Sequence, residues 1–148
     1  MHSLNKAIKF TIVASPSGLK ELQREVDELA TPWDLSQKQL FEIHLILEEI
    51  CTNYIEHSAA DQLATIDIQL QHRGSTLTIT TTDTGPEFDP TAVEAPDTRL
   101  PMEEREAGGL GLHLVRHFTE SITYSRKAHT NTLVITKDLT PVMNAKPA

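Results

Sequence analysis

Hydrophobic and polar positions alternate with two different periods along this chain, and the switches between those periods divide it into elements. Residues 7–14 (AIKFTIVA) are short, β-branched and aromatic, and Ser15-Pro16-Ser17-Gly18 ends them, which predicts a strand turning into a helix start. Leu19, Leu22, Val26 and Leu29 then recur at helical spacing, with charges between them, until Pro32. Ser36 with Gln39 three residues on predicts a capping box, followed by a second helix whose apolar stripe is Ile43, Leu47, Ile50 and Tyr54 and which fades near Ser58-Ala59-Ala60. Residues 64–71 and 76–82 alternate with period two, Ile66, Ile68 and Leu70 in one run and Leu77 and Ile79 in the other. Arg73-Gly74 between them predicts a hairpin. A third helix is expected from Gly109 through Leu110, Leu112, Leu114, Val115 and Phe118. Two last strands are expected at 121–126 and 132–137, around a polar turn at 128–131.

Strands outnumber helices and come in hairpins. That order predicts an α+β fold, a two-layer α/β sandwich with helices on one face of a mixed, mostly antiparallel sheet. Strict strand–helix alternation, which a doubly wound parallel fold needs, is absent. A chain of 148 residues is long enough for one domain with a sizeable core, so 1–148 reads as a single domain with its core at about 7–139 and a frayed tail at 140–148. The segment from Gly85 to Gly108 breaks the pattern. It holds Pro86, Pro90, Pro96 and Pro101 and seven acidic residues against Arg99 and Arg105. A connection of that length in a compact domain is a lid, a binding loop or disorder.

Composition narrows the function. A net charge of -8 argues against a nucleic-acid binder, which needs cationic contacts to phosphates. Nucleotide binding stays open, because magnesium and backbone N–H groups can meet the phosphates instead. Cys51 is the only cysteine, which excludes an intrachain disulfide, favours a reducing compartment and reads as a small core residue. No run approaches the ~20 apolar residues of a membrane helix and no signal peptide opens the chain, so a cytoplasmic protein without membrane contact is expected.

Three patches can carry chemistry. Glu49, Asn53 and His57 stack on one face of the second helix, beside its apolar stripe. A carboxylate one turn from an amide oxygen suits a base beside a hard cation; a solvated helix face is the competing reading. Asp83-Thr84-Gly85-Pro86 ends a strand, where an aspartate can accept from an amine and Gly85 admits a ligand to the backbone; an ordinary turn is the alternative. Gly108-Gly109-Leu110-Gly111-Leu112 directly precedes a helix, where exposed N–H groups favour an anion such as phosphate, or where glycines serve only for flexibility. A dinucleotide fingerprint and a P-loop both fail there, for want of a third glycine and of Gly-Lys-Ser/Thr. His113 and His117 lie one turn apart but have no third ligand, so no zinc site is expected.

The order of these motifs, from residues 47–57 (LEEICTNYIEH) through 83–90 (DTGPEFDP) to 108–115 (GGLGLHLV), resembles the GHKL (Bergerat-fold) ATPases. Within them, the Phe88-Asp89-Pro90 run and the small size resemble the bacterial anti-sigma-factor serine/threonine kinases. That resemblance implies ATP and Mg2+ as cofactors. Asn53 would hold the magnesium and Glu49 would serve as the base. Asp83 would bind the adenine amine, with Gly85 permitting close approach. The backbone of Gly108, Gly109, Leu110, Gly111 and Leu112 would cradle phosphates, and 86–107 would form the ATP lid. Thr136 on the last strand is expected near adenine. The implied activity is a protein serine kinase that phosphorylates a small anti-anti-sigma (STAS-like) antagonist and regulates a sigma factor by partner switching, acting as a homodimer. An ATP-binding partner-switching module without kinase activity is the alternative, and an ATPase acting on water a third. One departure from many GHKL members is Pro86-Glu87 in place of a second glycine, a feature shared with the small kinases.

Overall fold

A computed structural model describes residues 5–57, 64–92 and 115–140. Five strands, β1 (Lys6–Val13), β2 (Thr65–Arg73), β3 (Thr76–Asp83), β4 (Ser121–Lys127) and β5 (Thr130–Asp138), form one sheet in the order β1-β2-β3-β5-β4. Helices α1 (Pro16–Asp27) and α2 (Gln37–His57) make the second layer. The expected mixed sheet is antiparallel at all four pairings. The physical reason lies in the connections. Hairpins join β2 to β3 and β4 to β5, and β5 returns beside β3 in the opposite sense.

Local chemistry sets each boundary. Ser15 caps α1, its hydroxyl accepting from the Gly18 N–H at 3.3 Å, and Pro16 opens the first turn. Gly18 is there for space: a Cβ on it would stand 1.7 Å from the Val13 carbonyl oxygen. The capping box of α2 forms in both directions, Gln39 N–H to Ser36 Oγ at 3.0 Å and Ser36 N–H to Gln39 Oε1 at 2.9 Å. The amide of Gln39 then donates to the Leu139 carbonyl at 2.8 Å, tying the start of α2 to the end of β5.

The β2–β3 turn is the two residues Gly74 and Ser75, with Gly74 at φ 56°. The β4–β5 turn is tighter than the sequence suggests. Ala128 and His129 both take positive φ, 53° and 65°, as a type I′ turn requires, so β5 begins at Thr130 rather than 132. No glycine or asparagine marks that turn, and the strand's polar start hid it.

The core fills the space between layers. Ile43, Ile46, Leu47, Ile50, Cys51 and Tyr54 of α2 are buried against Ile66, Ile68 and Leu70 of β2, Leu77 and Ile79 of β3, and Leu133 and Ile135 of β5. Leu22 and Val26 bring α1 into the same core, as the period of its apolar positions requires. One ion pair lies inside it: Lys137 Nζ sits 2.6 Å from Glu42 Oε1 and donates to the Phe118 carbonyl at 3.0 Å. Among the described residues no helix is long and apolar enough to cross a membrane.

Candidate functional site

At one end of the sheet the inward side of β3, β5 and β4 changes from apolar to polar. Along β3 the inward residues run Leu77, Ile79, Thr81, Asp83; along β5 they run Ile135, Leu133, Asn131; along β4, Ile122, Tyr124, Arg126. The register sets Asp83 opposite Asn131 and Asn131 opposite Arg126, so three polar ends meet at one place. A cleft opens above them. Its helix wall is Ile50, Asn53 and Tyr54, its floor includes Thr81, Asp83 and Asn131, and Tyr124, Phe88 and Pro90 line its sides. Apolar and aromatic walls around a few convergent polar groups are the usual make-up of a small-molecule site.

The polar floor is ordered by hydrogen bonds. Asp83 Oδ1 accepts from the Gly85 N–H at 2.9 Å and from Asn131 Nδ2 at 2.9 Å. Asn131 Nδ2 also reaches the carbonyls of Gly85 at 3.2 Å and Pro86 at 2.9 Å. At its other end, Asn131 Oδ1 accepts from the Tyr124 hydroxyl at 2.5 Å and Arg126 Nη1 at 2.8 Å. Beyond this floor, Asp89 Oδ1 takes the Thr91 N–H at 2.8 Å and Arg116 donates to the Thr91 carbonyl at 2.6 Å, holding the short 3-10 turn Pro90–Ala92 beside β4.

Helix α2 brings the other polar pair. Asn53 is 5% exposed and lines the cleft, and none of the side-chain hydrogen bonds among the described residues uses its amide. Glu49 stands one turn earlier, about 6 Å along the helix axis, half-buried and outside the cleft lining. Burial pushes its carboxyl above the usual range, and the charges of Glu56 and Glu48 push the same way. A buried amide oxygen is a hard, neutral donor of the kind magnesium accepts, so the donor chemistry fits the expected ion. Among the described residues no cluster of three His, Cys, Asp or Glu could hold a metal by itself.

Glu49, Asn53, Asp83 and Gly85 are therefore gathered at one end of the molecule. Thr136 is not. Strand alternation puts it on the outer face of β5, where its hydroxyl pairs with Ser121 Oγ at 2.6 Å, away from the residues lining the cleft. Gly108, Gly109, Leu110, Gly111 and Leu112, His113 and most of the 86–107 segment lie outside the described residues. His57 is the last residue of α2. Cys51 is buried, its thiol pushed up to about 12 by burial first and the Glu48 charge second, which suits the core role expected of it. Asn131, Tyr124 and Arg126 carry no motif. Their signal is a polar residue on the inward phase of a strand, which becomes visible only once that phase is known.

An antiparallel sheet under a helical layer, with an aspartate-floored cleft at one end and an Asn–Glu pair on the adjoining helix, fits the class of two-layer ATPase domains of GHKL type. The chain belongs to the histidine kinase-like ATPase domain family, whose model matches residues 12–137. It is similar to the serine/threonine-protein kinase BtrW of Bordetella bronchiseptica, 27% identical over 107 residues that cover 72% of this chain and 75% of BtrW. Its fold is similar to the crystal structure of the RsbU and RsbW domains of Rv1364c from Mycobacterium tuberculosis, with a TM-score of 0.60 at 13% identity. That match covers 90% of this chain and 32% of the mycobacterial one, so the chain spans about a third of the protein whose fold it shares. ATP use holds for this chain at the level of its family.

Proposed function

We propose that the chain is an ATP- and magnesium-dependent serine/threonine protein kinase of the anti-sigma-factor type. Its substrate would be a small STAS-like antagonist, and a sigma factor would be regulated by partner switching. The observation that carries the reading is Glu49, a carboxyl raised above its ordinary range one helical turn from the buried amide of Asn53. A raised carboxyl is a stronger base when ionised, which suits removal of a proton from an incoming serine hydroxyl. The likeness to BtrW, itself named a serine/threonine-protein kinase, supports the same activity.

In this reading each residue has one task. Asp83 accepts the adenine 6-amino group, and Gly85 lets the ring approach the backbone. Asn53 offers its amide oxygen to the metal. Glu49 aligns the partner's hydroxyl and takes its proton as the new O–P bond forms and the bond to the leaving diphosphate breaks. Bound magnesium supplies the positive charge that offsets charge on the transferring phosphoryl oxygens. The backbone of Gly108–Leu112 meets the phosphates, and the acidic segment before it covers them.

The test is incubation with labelled ATP, magnesium and the STAS-like protein encoded nearest to this chain's gene. Label on a partner serine, lost in Glu49→Ala, is the expected outcome. Partner binding without label would favour an ATP-binding module instead, and free phosphate without protein label would favour hydrolysis. Asn53→Ala is expected to abolish magnesium-dependent ATP binding; unchanged affinity would refute its assignment.

A further inference from the structure

Among the described side chains of the cleft, Asn131 is engaged at both ends of its amide. It is 5% exposed. One end donates to Asp83 Oδ1, Gly85 O and Pro86 O; the other accepts from Tyr124 and Arg126. That pattern also determines which way the amide faces. A flipped Asn131 would set its oxygen against the Asp83 carboxylate and its NH2 against the Arg126 guanidinium, and both contacts repel.

We propose that Asn131 is a positioning residue that sets purine discrimination, by holding the Asp83 carboxylate in the one orientation that accepts a 6-amino group. The inference rests on the adenine-reading role proposed above for Asp83, and extends it to a residue on another strand. With Asp83 Oδ1 engaged twice, by Gly85 and Asn131, Oδ2 is the oxygen left to meet a ligand. An ionised carboxylate only accepts hydrogen bonds. A 6-amino purine donates to it, whereas a 6-oxo purine presents a second acceptor and leaves both groups unpaired. Discrimination of that kind is steep only while the acceptor is held in place, because a carboxylate free to rotate can turn away from the mismatched ligand. Arg126 acts one step further out. It grips Asn131 Oδ1 and also the Gly85 carbonyl at 3.0 Å, so it secures both supports of Asp83 at once.

The experiment compares ATP with purine riboside triphosphate, the same ligand without its 6-amino group, and with GTP. Binding is measured by calorimetry with magnesium, for the native chain and for Asn131→Ala, Arg126→Met, Arg126→Lys and Asp83→Ala. The native chain is expected to prefer ATP over purine riboside triphosphate by about tenfold, the value of one oriented hydrogen bond to a charged group. Asn131→Ala should bring that ratio close to one and relax the exclusion of GTP, while affinity for purine riboside triphosphate changes by less than about threefold. Arg126→Met should lie between, and Arg126→Lys should recover part of the preference. Equal loss of affinity for both ligands in Asn131→Ala, or an unchanged ratio, would overturn the inference and leave Asn131 a structural residue. If Asn131→Ala does not fold, as judged by circular dichroism, the ratio for Arg126→Met decides in the same way. A native preference that persists in Asp83→Ala would sink the adenine reading itself. A preference lost in Asp83→Ala and kept in Asn131→Ala sinks only this one.

Discussion

Replacing Lys137 by methionine isolates the ion pair inside the core. The ammonium lies 2.6 Å from Glu42 Oε1 and 3.0 Å from the Phe118 carbonyl, and the two residues are 4% and 8% exposed. Methionine keeps most of the apolar stem, while the ammonium it removes also lies 5.9 Å from the Phe118 ring centroid, so the loss is mainly electrostatic. What remains is a buried carboxylate without its cation, and breaking such a pair from one side costs about 3–5 kcal/mol. Domains of this size have a total stability on the order of 5–15 kcal/mol, so a large share would go. With a urea slope of about 2 kcal/mol per molar, the unfolding midpoint should fall by roughly 2 M. The double variant Glu42→Met with Lys137→Met removes both charges, and it should recover most of that loss because no charge is left buried. A single variant within about 1 kcal/mol of native, or a double variant no better than the single, would show that the pair is not desolvated as its burial requires. The effect should reach function too, since Glu42 belongs to the helix that carries Glu49 and Asn53.

Three further outcomes follow from single contacts. Glu49 has a raised carboxyl, from burial first and then from Glu56 and Glu48, so its ionised form is the one the folded state disfavours. Its penalty is absent below the ordinary carboxylate range, grows as pH rises through that range and is complete above the raised value. Glu49→Gln should therefore be more stable than native at neutral pH, with the difference vanishing in acid melts. If the chain transfers phosphoryl groups as proposed, the acid limb of that activity should lie above the ordinary glutamate range and move down in Glu56→Gln; a limb unmoved by that change would argue against Glu49 as the titrating base. Gly18→Ala forces a Cβ into the Val13 carbonyl, whose oxygen stands 1.7 Å away, and should cost at least about 2 kcal/mol by thermal melting. A melting point equal to native would show that the turn between β1 and α1 relaxes freely. Ala128→Gly relieves a left-handed φ of 53° and should stabilise by roughly 0.5–1 kcal/mol, whereas a destabilised variant would mean the turn tolerates alanine without strain.

Much of the fold was legible along the chain because its signals are local. The period of Ile43, Leu47, Ile50 and Tyr54 announces a helix with one buried face, and the capping box of Ser36 and Gln39 marks its start. The alternation of Ile66, Ile68 and Leu70 against polar neighbours announces a half-buried strand. The β4–β5 turn was harder to read, because Ala128 and His129 adopt a geometry that glycine and asparagine usually signal. Thr136 shows the limit of position without phase. Its place on the last strand was readable, but a one-residue difference decides which face a side chain takes.

The sequence by itself determined the layers, the hairpins and the candidates Glu49, Asn53, Asp83 and Gly85, since helix period, strand alternation and turn chemistry all act over a few neighbouring residues. Only the tertiary structure decided what surrounds Asp83. Residue 83 lies 48 positions before residue 131, and the β3–β5 register brings it beside the β4–β5 hairpin that carries both 126 and 131. A hydrogen-bond network of that kind depends on strand order and phase, which are set when the whole sheet closes over its core and not by any local run of residues.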